Sequence, residues 1–168
     1  MTKKHNLILS EAQVRQIIKR IAYEIYERNF NEKSLAIVGI YEKGYKLAEL
    51  INDEISAING KQKTKLIRLD INKQKPLAEE VILDVALDDL IGLPVVLIDD
   101  VQNTGRTFAH SLKALLEVDI KKLETAVLVN RSHKLFPIMA SYTGYELSTT
   151  IDEHVEVVMG KKIAVNLH

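Results

Sequence analysis

The chain has 168 residues, 46% hydrophobic and 27% charged, which is the balance of a folded globular protein rather than of a disordered segment. Its 23 basic and 23 acidic residues cancel, so no global positive field advertises nucleic acid. Cysteine is absent, which excludes disulfides and thiolate metal sites.

The opening Met1-Thr2-Lys3-Lys4-His5-Asn6 leads into only three apolar residues, too few for the core of a signal peptide. No apolar run approaches the roughly 20 residues of a membrane-spanning helix. The expectation is therefore one cytoplasmic domain over residues 1–168, without a membrane partner. Ser10-Glu11-Ala12-Gln13 has the serine and glutamine of a capping box. Val14, Ile17, Ile18, Ile21 and Ile25 then recur at helical spacing, predicting a helix to about Arg28. Ser34 to Ile40 is almost wholly apolar, the pattern of a strand covered on both faces. A polar turn ends in Gly44, and Leu47, Leu50, Ile51 and Ile55 mark a second helix. Strand, turn, helix, strand is a βαβ unit, which implies a parallel sheet.

Thr64 to Ile71 reads as the next strand, Asn72 to Glu80 as a loop, and Val81 to Val85 as a short strand. Pro94 opens Val95-Val96-Leu97-Ile98, the clearest buried strand. Phe108, Leu112, Leu115 and Leu116 predict a third helix, and Thr125 to Asn130 another strand. Val155 to Val158 and Ile163 to Leu167 flank Met159-Gly160-Lys161, which suggests a closing hairpin. The fold class is α/β: a doubly wound, mainly parallel sheet with a small accessory region and a C-terminal hairpin.

In such sheets ligands sit beyond the carboxyl ends of the strands. There the chain places two adjacent carboxylates, Asp99 and Asp100, which suit the cis hydroxyls of a ribose or a magnesium ion carried by the ligand. It then turns through Thr104-Gly105-Arg106-Thr107 into a helix, so that successive amides and hydroxyls point at one spot, an anion site. Either half alone reads, in most proteins, as a solvated strand end or a helix cap. Together, between a buried strand and an amphipathic helix, they read as a site for a ribose and its 5′-phosphate.

The whole run Val95 to Thr107 resembles the phosphoribosyl pyrophosphate signature of type I phosphoribosyltransferases. Its Thr-Gly-Arg-Thr ending is most similar to the branch of bifunctional pyrimidine operon attenuation regulators with uracil phosphoribosyltransferase activity. Ile8-Leu9-Ser10, Arg20-Ile21-Ala22, Val38-Gly39-Ile40 and Ala126-Val127-Leu128-Val129 agree with that branch along most of the chain. The resemblance implies a phosphoribosyltransferase fold with a small hood, and transfer from phosphoribosyl pyrophosphate to a nucleobase, with uracil favoured. It implies magnesium held with the substrate and an assembly built from dimers.

By position, the resemblance gives Asp99 and Asp100 the ribose hydroxyls, and Asn103, Thr104, Gly105, Arg106 and Thr107 the 5′-phosphate. Tyr41, Glu42, Lys43 and Gly44 become the pyrophosphate loop, with Lys43 sharing the catalytic role of Asp99 and Asp100. Arg131 approaches the base, although its residue type alone reads equally as a surface arginine closing a strand. Lys19, Arg20 and Arg28 fall where relatives present a basic face to RNA, and read equally as the solvated side of a helix.

Against the family pattern, Glu42 stands where a neutral residue is usual and Lys43 where arginine is. A carboxylate near pyrophosphate is unfavourable, while lysine still neutralises phosphate as a point charge. The segment after Asp70 is shorter than the relatives' closing loop, and its Lys73 and Lys75 read equally as substitutes for that loop's cations or as solvated side chains. Asn103 replaces the carboxylate that purine-specific members use as a base toward the purine ring, and an amide cannot accept that proton. Tyr23 replaces a histidine of the RNA face, and Met139 and Tyr145 stand where relatives tend to have basic residues. The expectation is a phosphoribosyltransferase first, and a nucleotide-sensing RNA-binding regulator second.

Overall fold

A computed structural model describes residues 6–168; the opening Met1 to His5 lies outside it. Strand β1 (Asn6–Leu9) runs into helix α1 (Glu11–Asn29). There Ser10 accepts from the Gln13 amide while the Gln13 side chain accepts from the Ser10 backbone, so two otherwise orphaned donors are satisfied. The chain continues through β2 (Ser34–Ile40), α2 (Lys43–Ile58), β3 (Lys63–Asp70), the two-residue β4 (Ile82–Leu83) and a 3-10 turn (Leu87–Leu90). After it come β5 (Pro94–Gln102), α3 (Arg106–Leu115), β6 (Lys122–Asn130), β7 (Tyr142–Glu146), β8 (Val155–Met159) and β9 (Ile163–Leu167).

Six strands form one sheet in the order β4-β3-β2-β5-β6-β7, parallel except for β4, which runs antiparallel to the end of β3. Its central strands bury both faces, and their side chains alternate between two cores, as the period of a strand requires. Leu35, Ile37, Val96 and Ile98 pack with α1 and α2, whereas Ala36, Val38, Val95 and Leu97 pack with Phe108 and Leu115 of α3. The sheet is thus wound on both sides. Pro94 is the first residue of β5, where the missing amide costs least.

The closing hairpin forms as expected, and β1 adds to it antiparallel, giving a second sheet of order β1-β9-β8. Two strands were not foreseen. Asn6–Leu9 has too few residues to show alternation, and its partner β9 lies at the far end of the chain. Tyr142–Glu146 carries Gly144 and Glu146 and buries only Tyr142, so it lacks the apolar run of an inner strand; it is the sheet's edge beside β6. The strand expected over Val81 to Val85 shrinks to Ile82–Leu83, paired with Leu69 and Asp70.

Candidate functional site

The carboxyl end of β5 and the start of α2 meet at a cleft of about 680 Å³. Asp99 and Asp100 stand at its floor, 3% and 9% exposed. Beyond them Gly105 takes φ +81, a left-handed backbone that glycine adopts freely, and α3 starts on the next residue. Thr104, Gly105, Arg106 and Thr107 line the cleft at that helix N-terminus. The Thr104 carbonyl accepts from the amides of Leu135 and Phe136, which seats the 132–140 segment against the turn.

Across the cleft, α2 begins at Lys43, which also lines it. Its first turn approaches β5 so closely that a Cβ on Gly44 would lie 2.8 Å from Asp99 Oδ1 and 2.8 Å from the Ile98 carbonyl. Glycine here is a packing requirement. Of the expected pyrophosphate loop, Tyr41 carries the Arg68 guanidinium 5.2 Å from its ring centre, and the Tyr41–Glu42 peptide is cis. Glu42 Oε1 lies 3.4 Å from Lys46 Nζ, so part of its charge is offset along the helix.

Lys73 is the residue whose place in the site the sequence left open. Its ammonium lies 2.9 and 3.1 Å from the two oxygens of Asp99 and 3.8 Å from Asp100 Oδ1. Burial lifts the Asp99 carboxyl to about 7; Lys73 pulls it down and Asp100 pushes it further up. Burial alone would lower Lys73, yet the two carboxylates hold it above the ordinary lysine value. Both pair members thus move upward. Burial acts more strongly on Asp99, whose side chain is 4% exposed, than on Lys73, whose side chain is 39% exposed. The closing hairpin, expected only as an accessory, contributes Val155, Glu156 and Val157 to the cleft wall.

Of the remaining expected residues Asn103 also lines the cleft, whereas Arg131, Lys19, Arg20 and Arg28 are not among its lining residues. Arg131 is 6% exposed and committed to protein groups. Its guanidinium donates to Thr149 Oγ1 at 2.6 Å, Asn103 Oδ1 at 3.2 Å, the Thr150 carbonyl at 2.9 Å and the carbonyls of Ile151 and Glu153. It ties Asn103 to the 149–153 segment. Arg20 donates to the carbonyls of Thr143 and Gly144 and pairs with Glu24, and the Arg28 guanidinium sits 5.0 Å from the ring centre of Tyr142. Lys19 is exposed. Lys75 is exposed as well, with its backbone amide bonded to Asn72.

A family model described as the phosphoribosyl transferase domain matches residues 6–160. The chain is 36% identical to the Bifunctional protein PyrR of Deinococcus radiodurans, over 94% of this chain and 89% of that one. With the protein of the same name from Staphylococcus epidermidis it shares 38% identity, over 91% of each. Among solved structures, the hypoxanthine phosphoribosyltransferase of Trypanosoma cruzi has the same fold, with a TM-score of 0.78 at 14% identity over 95% of each chain. The hypoxanthine-guanine phosphoribosyltransferase of Bacillus anthracis superposes with a TM-score of 0.73 at 17% identity, over 88% of this chain and 85% of that one. Among the described residues no helix is long and apolar enough to cross a membrane. The signature from Val95 to Thr107 lies within a family match that runs from β1 to the closing hairpin, and the chain belongs to the phosphoribosyltransferase family.

Proposed function

We propose that the protein transfers ribose 5-phosphate from phosphoribosyl pyrophosphate to uracil, giving UMP and pyrophosphate. The observation that carries this is the composition of one cleft. A buried carboxylate pair, a glycine turn at a helix N-terminus and the lysine of a second helix start face a common space. The α3 amides and the hydroxyls of Thr104 and Thr107 hold the 5′-phosphate. Asp99 and Asp100 take the ribose hydroxyls, which fixes the anomeric carbon between the base and the leaving group. In the reaction the bond from that carbon to the pyrophosphate oxygen breaks, the bond to the uracil nitrogen forms, and the nitrogen's proton leaves to solvent. Lys43 neutralises the departing pyrophosphate as a fixed charge, an electrostatic contribution that needs no covalent intermediate.

Among the described residues no third metal-binding side chain joins the two carboxylates. That donor set fits magnesium held mainly by ligand oxygens, with Asp99 and Asp100 facing it. When bound, the ion supplies charge neutralisation at the pyrophosphate. Uracil is favoured over purines by Asn103, whose side-chain oxygen is engaged by Arg131 and cannot act as a base. Arg131 bears on the base side of the cleft through Asn103 and the 149–153 segment it holds.

A second role toward RNA rests on Lys19, Arg20 and Arg28. Arg20 and Arg28 already serve β7, so the transfer reading is the stronger one. The test is pyrophosphate release with phosphoribosyl pyrophosphate, magnesium and a panel of uracil, orotate, hypoxanthine, guanine and xanthine. Turnover with uracil is expected; silence across the panel overturns transfer, and turnover confined to a purine overturns the base assignment.

A further inference from the structure

Both oxygens of Asp99 already have a donor, the Lys73 ammonium at 2.9 and 3.1 Å, which also reaches to within 3.8 Å of Asp100. These are the acceptors that the proposed function gives to the ribose hydroxyls. We propose that Lys73 plugs the ribose half of the site in the ligand-free protein, and that a ribose 5-phosphate group binds by displacing it. The inference rests on that functional reading. It adds a control of entry, exerted by the short segment that follows β3.

Three observations support it. First, two adjacent carboxylates taken out of water need a cation, and among the described residues Lys73 is the cation paired with them. Second, the segment does not depend on this contact for its shape. The Lys75 amide donates to Asn72 Oδ1 at 2.9 Å, the Ala78 amide to the Lys75 carbonyl at 2.9 Å, and Asn72 Nδ2 to Glu79 Oε1 at 3.3 Å. The Lys73 side chain is 39% exposed on a flexible four-carbon stem, so it can swing out while the backbone stays. Third, the two halves of the cleft differ. Among the described residues Lys73 pairs with Asp99 and Asp100, whereas the Thr104 to Thr107 turn, in the same cleft, bonds to itself and to the amides of Leu135 and Phe136.

The phosphate half is therefore open and the ribose half is closed by the protein's own lysine. Apparent affinity for a ribose phosphate is then reduced by the fraction of molecules whose lysine is out of the site. A lysine that instead stayed in place and gripped the ligand's anionic groups would have the opposite effect on removal.

Calorimetric titration with ribose 5-phosphate separates these cases, with inorganic phosphate as the probe of the open half. Lys73→Met is expected to bind ribose 5-phosphate about three- to tenfold more tightly than the unaltered protein. Lys73→Arg is expected to restore the weaker binding, and inorganic phosphate to bind all three alike. Tighter binding is diagnostic, because losing a positive charge by itself weakens anion binding. Unchanged or weaker ribose 5-phosphate binding by Lys73→Met overturns the plug, and so does an equal change for both probes. Absence of ribose 5-phosphate binding by every variant overturns the reading of the cleft on which the plug depends. Lys73→Gln, a polar replacement of similar reach, carries the same comparison if the methionine variant does not fold.

Discussion

Gly44 and Asp99 are in contact across the site: the start of α2 packs so tightly on the end of β5 that any side chain at Gly44 would strike the carboxylate within 2.8 Å. This contact sets how far Lys43 stands from the carboxylate pair. Gly44→Ala forces the helix start away from β5, an overpacking expected to cost about 1–3 kcal/mol of stability in a denaturant titration. Phosphoribosyl pyrophosphate affinity is expected to fall with it. Wild-type stability together with wild-type affinity would show that the two elements are not in register as described.

At the opposite end, Gly105→Ala places a Cβ on a left-handed residue, 3.3 Å from the Phe136 carbonyl. The conformational cost is about 1 kcal/mol. Relieving it tilts the amides of the turn, so inorganic phosphate is expected to bind more weakly. An unchanged phosphate affinity would place the anion elsewhere.

Arg131→Lys keeps the charge but loses the planar fork that serves Thr149, Asn103 and three carbonyls. Losing donors to these part-buried acceptors is expected to cost about 1 kcal/mol or more. Proteolytic nicking within 149–153 is expected to accelerate. If Arg131 acted on the base alone, the variant would lose affinity for base or nucleotide while keeping both stability and resistance to proteolysis.

Asp99 also gives a pH dependence. Burial raises its folded value to about 7 from 3.8, so between those values the native state holds this proton more tightly than the unfolded state does. Its contribution to stability therefore falls as pH rises through that window and is flat above it. Asp99→Asn removes the dependence. The stability of the variant relative to the unaltered protein is expected to climb from pH 4 to 7 and then level off. Lys73 stays charged throughout, so its lost partner shifts the curve without bending it. Parallel profiles across that range would contradict the burial of an ionisable Asp99.

Much of this was legible in the residues themselves. β2 and β5 announce themselves because a strand buried on both faces has no polar period to hide, and the Ser10–Gln13 cap is a local pattern. The phosphate turn is local too, one segment carrying every group it needs. Lys73 is a different case. Nothing near it distinguishes a solvated lysine from one that folds back, because its partner lies 26 positions away and the contact depends on the path of the loop. Arg131 is similar: its acceptors are mostly backbone carbonyls, which leave no mark on residue type. β7 escaped because an edge strand with one buried residue has no apolar run.

The assignment of the carboxylate pair to the ribose is tested most directly by titrating phosphoribosyl pyrophosphate, with magnesium, into the unaltered protein and into Asp99→Asn/Asp100→Asn. The amides keep the shape of the floor but lose the charge that the ribose hydroxyls and the ligand's magnesium would face. Binding is expected in the unaltered protein, with heat too small to fit in the double variant, while inorganic phosphate still binds both. Equal phosphoribosyl pyrophosphate affinity in the two proteins would contradict the placement of the ribose on Asp99 and Asp100.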